Sequence, residues 1–247
     1  MEFERFADEL CISGSVLSIK RIGETQAYCP GNENCAFLAL NYAFRGETIR
    51  LSADSIRCFG GKGGFGLVDS KMEVPGGYGH FVSYGAGEGA PPGMRLKASP
   101  ELAEQGELVS PRDVMDGMTM IEIKPFEESD APDLVTVLST PDQLAALNLL
   151  FHFRKVENDA TFFPAGSGCS SVFRLPFAEL RSDNPRAVIG NADVSSRPGF
   201  PPDTLFFTVP GEVFKEMLRD ADESFLTAAA WKRLRERISP GSADCEA

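Results

Sequence analysis

Half of the glycines in this chain fall in one short stretch. Twelve of the 24 lie between Gly60 and Gly93. A glycine costs backbone entropy to order and gives a core no side chain. A stretch so rich in them predicts long irregular loops, either mobile or closely shaped around a ligand, rather than regular elements. Apolar residues make up 43% of the 247-residue chain, enough to fill a sizeable core around those loops.

Outside that stretch the periodicity alternates between helix and strand. Glu2 to Ile12 reads as a short helix and Ser15 to Ile22 as a strand. Asn34 to Phe44 reads as a helix that Gly46 stops, and Thr48 to Leu51 as a strand. Further strands are expected at Met118–Ile123, Asp133–Ser139, Ala160–Phe163, Ala187–Ile189 and Thr204–Val209. A short helix is expected over Pro100–Gln105. A second follows Thr140, where Pro141 and Gln143 complete a capping signature. Helices over Gly211–Asp220 and Ser224–Ile238 follow, and residues 239–247 read as a flexible tail. The fold class is α+β, a mixed α/β body, with residues 1–238 forming one domain. The apolar strand TLFFTV either lies at the centre of a sheet or pairs at an edge across a homodimer.

A strand, a helix, a strand and a glycine-flanked cysteine occur twice in the same order. SVLSIKRI, CAFLALNYAFRG, ETIRLS and Cys58 answer to DLVTVLS, QLAALNLLFHFRK, ATFF and Cys169. The expected organisation is two pseudo-repeated halves, about 15–70 and 133–177, with the two glycine–cysteine loops meeting between them. Ligands commonly bind at such a junction.

Charge excludes some functions. A net charge of −12 repels phosphate backbones, so nucleic acid is not an expected partner. No apolar run is long enough to span a membrane. The acidic start, with Glu2, Glu4, Asp8 and Glu9, does not resemble a signal peptide, and the expected location is cytoplasmic. There the six cysteines are expected to be thiols. No C-x-x-C pair occurs among them, so zinc-ribbon and ferredoxin signatures are lacking.

Three chemistries compete for the glycine–cysteine region. Cys35, Cys58 and Cys169 could converge as thiolate ligands of zinc or an iron–sulfur cluster, with Cys29 or Asn191 completing the set. The plainer reading of Cys35 and Cys169 is that of small buried hydrophobes. Alternatively, Cys58 is a catalytic nucleophile, its thiolate favoured by free N–H groups of Gly60, Gly61 and Gly63 and by Lys62, with His80 as the base. His152, within a helix, reads as packing or surface. Third, the loops form a metal-free small-molecule site walled by Tyr78, His80, Phe81 and Tyr84. Gly61-Lys62-Gly63-Gly64-Phe65-Gly66 fits G-x-G-x-x-G, but no convincing helix follows, so a dinucleotide site is rejected.

Several segments also carry a family resemblance. They are Cys35-x22-Cys58-x-Gly-Gly with Gly66-Leu67, LVTVLSTPDQLAALNL, Ala165 to Pro176, and Gly190 followed by LFFTVPGEVFKEML. From about Ser15 to Asp220 the chain resembles the bacterial and archaeal family catalogued as domain of unknown function one hundred and sixty-nine. The resemblance implies several matching cysteines, at Cys35, Cys58 and Cys169, and through them metal or iron–sulfur binding. It also implies a cysteine after the glycine matched by Gly190. Asn191 stands there instead, and Lys62 departs from the family's glycine loop.

Overall fold

A computed structural model of the chain describes residues 2–30, 35–58, 60–69, 76–85 and 92–238. In chain order the elements are α1 (Glu2–Glu9), β1 (Val16–Ile22), a 3₁₀ turn (Ala36–Ala39) leading into α2 (Leu40–Phe44), β2 (Ile49–Ser52), α3 (Gly61–Gly64), α4 (Tyr78–Val82) and α5 (Pro100–Leu108). Then come β3 (Met120–Pro125), β4 (Leu134–Ser139), α6 (Pro141–Phe151) and β5 (Thr161–Phe162). A π-helical turn (Ser170–Arg174) runs into α7 (Leu175–Glu179), followed by β6 (Ala187–Gly190), β7 (Leu205–Pro210), α8 (Gly211–Asp220) and α9 (Ala229–Ile238). Residues 239–247, including Cys245, lie outside the described residues, as does Asn34 of the expected second helix.

Among the described residues the strands form one mixed seven-stranded sheet of order β2-β3-β1-β4-β7-β6-β5. Every pairing is antiparallel except β5 with β6. The fold class is therefore the α+β expected. The centre of the sheet is where the sequence is most continuously apolar, because helices cover both faces. Along β4, Leu134 faces one core, while Val135 and Val137 face the other. Thr136 is buried too, and its hydroxyl pairs with that of Thr208 on β7 at 2.8 Å. β7, the TLFFTV strand, has β4 on one side and β6 on the other. It has no free edge, so the expected edge-to-edge homodimer through this strand is not available.

The first three strands and strands β4, β6 and β7 mirror one another about the central β1–β4 pair. The helices do not follow. Ala36, Phe37 and Leu40 pack on one face, whereas Ala146, Leu147 and Leu150 of α6 pack on the other with α1 and α8. A twofold axis relating antiparallel neighbours would keep both helices on one face. The strand expected to match β2 is β5, yet β5 lies outermost and parallel to β6. The expected pseudo-repeat thus does not extend to packing.

Local chemistry explains the boundaries. Ser99 caps α5 by accepting the Leu102 N–H. Thr140 starts α6, its N–H donating to Gln143 Oε1 at 2.9 Å. Gly46 takes φ +101° just past α2. The helix expected from Ser224 begins only at Ala229, because Ala228 is extended. Two corrections concern the glycine and cysteine loops. The glycine stretch, expected to be irregular, contains the short helices α3 and α4. Cys169, expected in a loop, opens a π turn that continues as α7. Pro176 has no N–H to close an ordinary helical bond with Val172, which favours the wider turn there.

Candidate functional site

Three phenylalanines carry the three cysteine segments to one face of the sheet. Phe37, two residues after Cys35, packs against Phe200 and Phe206 at ring distances of 5.3 and 5.4 Å. Phe65, at the end of α3, lies 4.3 Å from Phe173. Phe173 sits one helical turn beyond Cys169. All three rings are fully buried, and each contributes about 2–3 kcal/mol by leaving water. Cys169 is part of this core, and Cys29, Cys35 and Cys58 pack at its margin.

The approach is close enough to require glycine. A Cβ on Gly61 would fall 2.4 Å from Cys58 Sγ and 2.6 Å from Ile56 Cγ2. A Cβ on Gly64, one turn on, would fall 2.7 Å from the Cβ of Cys169. α3 is therefore a bare backbone wedge between two cysteines. This is a physical reason for part of the glycine density.

Within this setting the Cys35 thiol donates its hydrogen to the sulfur of Cys58. The backbone N–H groups of Ala36 and Gly61 also favour the charged sulfur of Cys58, and that of Gly61 donates to the Cys58 carbonyl at 3.2 Å. Together these outweigh burial and lower the Cys58 thiol to about 6. Cys35, the donor, is pushed far the other way by that hydrogen bond and by burial. Cys169 is buried, and burial, with the negative charges of Cys58 and Asp193, pushes its thiol up. The three thiols are thus set apart electrostatically, Cys58 toward its charged form and Cys35 and Cys169 toward their neutral forms.

The other expected site residues fall into place differently. Gly60, Gly61, Lys62 and Gly63 form the start and first turn of α3. The Gly60 carbonyl accepts the Gly64 N–H at 2.9 Å. Lys62 is not among the leading influences on Cys58; the Cys35 thiol and backbone N–H groups supply the effect expected of it. His80 sits on α4, edge-on to the Tyr84 ring. Among the described residues His80 makes no interaction with Cys58, whose partner is Cys35 instead. Cys29 donates to the Pro30 carbonyl at 3.9 Å. His152 caps the end of α6, its Nδ1 at 2.8 Å from the Asn148 carbonyl.

Asn191 is fully buried at φ +70°, just after β6. Its N–H donates to Ser171 Oγ at 3.0 Å, and its Oδ1 accepts from Ser196 Oγ at 2.6 Å. Ser196 in turn flanks Gly168, whose absent Cβ leaves room for both Ser196 and Phe37. Asn191 therefore pins the Cys169 segment to the loop that carries Ser196. Arg174, missed in the sequence, anchors the same turn from beneath. It is buried, donates to the Pro111 carbonyl at 2.7 Å and pairs with Glu107 at 3.1 Å.

The residues do not fit a resident metal as arranged. Among the described residues no three His, Cys, Asp or Glu side chains are grouped to hold a metal ion. The position implied for a further ligand holds Asn191, whose oxygen already accepts from Ser196. Cys169 is held toward its protonated form.

Fold and site together define a mixed α/β protein with a cysteine cluster on one face of its sheet. The family model for domain of unknown function 169, described as uncharacterised ArCR, matches residues 6–220, and the chain belongs to that family. No curated protein and no solved structure gives a significant match. Among the described residues no helix is long and apolar enough to cross a membrane.

Proposed function

We propose that this protein is a thiol-centred module whose working group is the Cys58 thiolate, acting on an electrophilic small molecule. The observation that carries the reading is the convergence of the Cys35 S–H and the Ala36 and Gly61 N–H groups on one sulfur. Donors gathered around a sulfur stabilise its charged form, which is the nucleophilic one. Cys35 stays protonated beside it and can supply a proton to a leaving group. Both residues are partly exposed, whereas Cys169 is buried. A standing thiolate with free thiols around it fits a reducing, cytoplasmic setting.

The test is selective alkylation. Limiting iodoacetamide at about pH 6, where ordinary thiols near 8.5 are almost wholly protonated, is followed by peptide mapping. Cys58 is expected to be labelled ahead of Cys11, Cys29, Cys35 and Cys169. Equal labelling of the exposed cysteines would reject the proposal.

A further inference from the structure

We infer that Cys35 and Cys58 form a two-electron redox pair that consumes a hydroperoxide, Cys58 attacking and Cys35 resolving to an intramolecular disulfide. This rests on the reading of Cys58 as a nucleophilic thiolate and names its substrate class.

The geometry selects the partner. The thiols of Cys35 and Cys58 are hydrogen-bond partners, so the two sulfurs are neighbours. Cys169 influences Cys58 only through charge, across the wedge of α3, and it is buried. On the α3 side the Gly61 backbone lies so close that a Cβ there would fall 2.4 Å from Cys58 Sγ, which leaves no room for a resolving group from that side. Cys35 stands at the start of the 3₁₀ turn with extended backbone, φ −110° and ψ 110°, rather than locked within a helix.

The chemistry balances in two steps. The Cys58 thiolate attacks the distal oxygen of ROOH; the S–O bond forms, the O–O bond breaks, and the alkoxide takes a proton from solvent. Cys58 is now a sulfenic acid, oxidised by two electrons, and the peroxide is reduced to an alcohol. The Cys35 sulfur then attacks the Cys58 sulfur. The S–S bond forms, the S–O bond breaks, and hydroxide leaves with the Cys35 proton as water.

The experiment treats the reduced full-length protein with one equivalent of hydrogen peroxide, blocks the remaining thiols with N-ethylmaleimide, and maps peptides. The inference expects a Cys35–Cys58 cross-linked peptide that dithiothreitol releases. In Cys35→Ser the cross-link is lost, and dimedone, which captures sulfenic acids, labels Cys58. The wild-type map stands on its own should that variant fold poorly. Sulfinic acid on Cys58, a Cys58–Cys169 cross-link, or an unmodified Cys58 would each overturn the inference. If Cys58 is still alkylated selectively at acid pH, only the redox step falls. If that selectivity is lost as well, the thiolate reading falls with it.

Discussion

The thiol of Cys35 gives its hydrogen to the sulfur of Cys58, and not the reverse. The direction follows from the backbone: three N–H groups, of Ala36, Gly61 and Cys58 itself, favour a charge on Cys58, whereas one, of Phe37, favours it on Cys35. Cys35→Ala removes the strongest donor and should move the Cys58 titration upward, toward the ordinary thiol range. Alkylation of Cys58 at about pH 5.5 should then slow by roughly tenfold, because its thiolate fraction falls. Cys35→Ser keeps a hydroxyl donor and should recover part of the rate.

The glycine wedge should resist even a methyl group. Gly61→Ala places a carbon 2.4 Å from Cys58 Sγ, and Gly64→Ala places one 2.7 Å from Cys169 Cβ. Each should cost about 1–3 kcal/mol of stability, the usual penalty for overpacking. Urea denaturation checks this. Gly61→Ala should also displace the N–H that Cys58 accepts, and so raise the Cys58 titration; Gly64→Ala should leave it closer to wild type.

Phe65 couples the core to the site. Phe65→Ala empties a fully buried position against Phe173, at a cost of about 3–5 kcal/mol. Because Phe65 holds the end of α3, the same variant should lose acid-pH selectivity at Cys58 while still folded at low temperature. Circular dichroism and alkylation on one sample separate the two effects.

Stability should depend on pH in a defined window. Cys58 is lowered to about 6 from an ordinary value of about 8.5. Between those values the unfolded chain binds more protons at Cys58 than the folded one, so stability rises with pH from about 6 to about 8.5. Below the window this contribution is lost. Above it, Cys35 and Cys169, both raised, stay protonated only when folded, and the trend reverses. Thermal melts of wild type against Cys58→Ser should show the rise only in wild type.

Much of the architecture was legible because local signals and packing agree there. The alternation in LVTVLS and TLFFTV, the cap at Thr140 and the stop at Gly46 each act within a few residues. What was not legible depends on distant partners. Nothing near α6 says which face of the sheet it will cover, so the apparent repeat could not be tested by pattern. The short helix at Gly61–Gly64 forms against propensity because Ile56, Cys58 and Cys169 leave room only for backbone. At the site, the cysteine positions were legible as residue types: Cys35 and Cys58 are neighbours, and Cys169 acts on both through charge. Their roles were not, because His80 looked like the natural base by type, while the thiolate is supported by a thiol and by backbone N–H groups that have no sequence signature. Asn191, expected as a ligand, is a pin, since its oxygen is taken by Ser196.

The central claim is that Cys58 is a thiolate near neutral pH, and its alkylation rate across pH tests that most directly. The rate at pH 7 alone is a poor guide: the roughly thirtyfold gain in thiolate fraction is largely offset by the lower nucleophilicity of a weakly basic sulfur. The midpoint is decisive. With iodoacetamide and peptide-resolved detection, Cys58 should titrate with a midpoint near 6, well below Cys35 in the same digest. A Cys58 midpoint at about 8.5, the value of an ordinary thiol, would contradict the account.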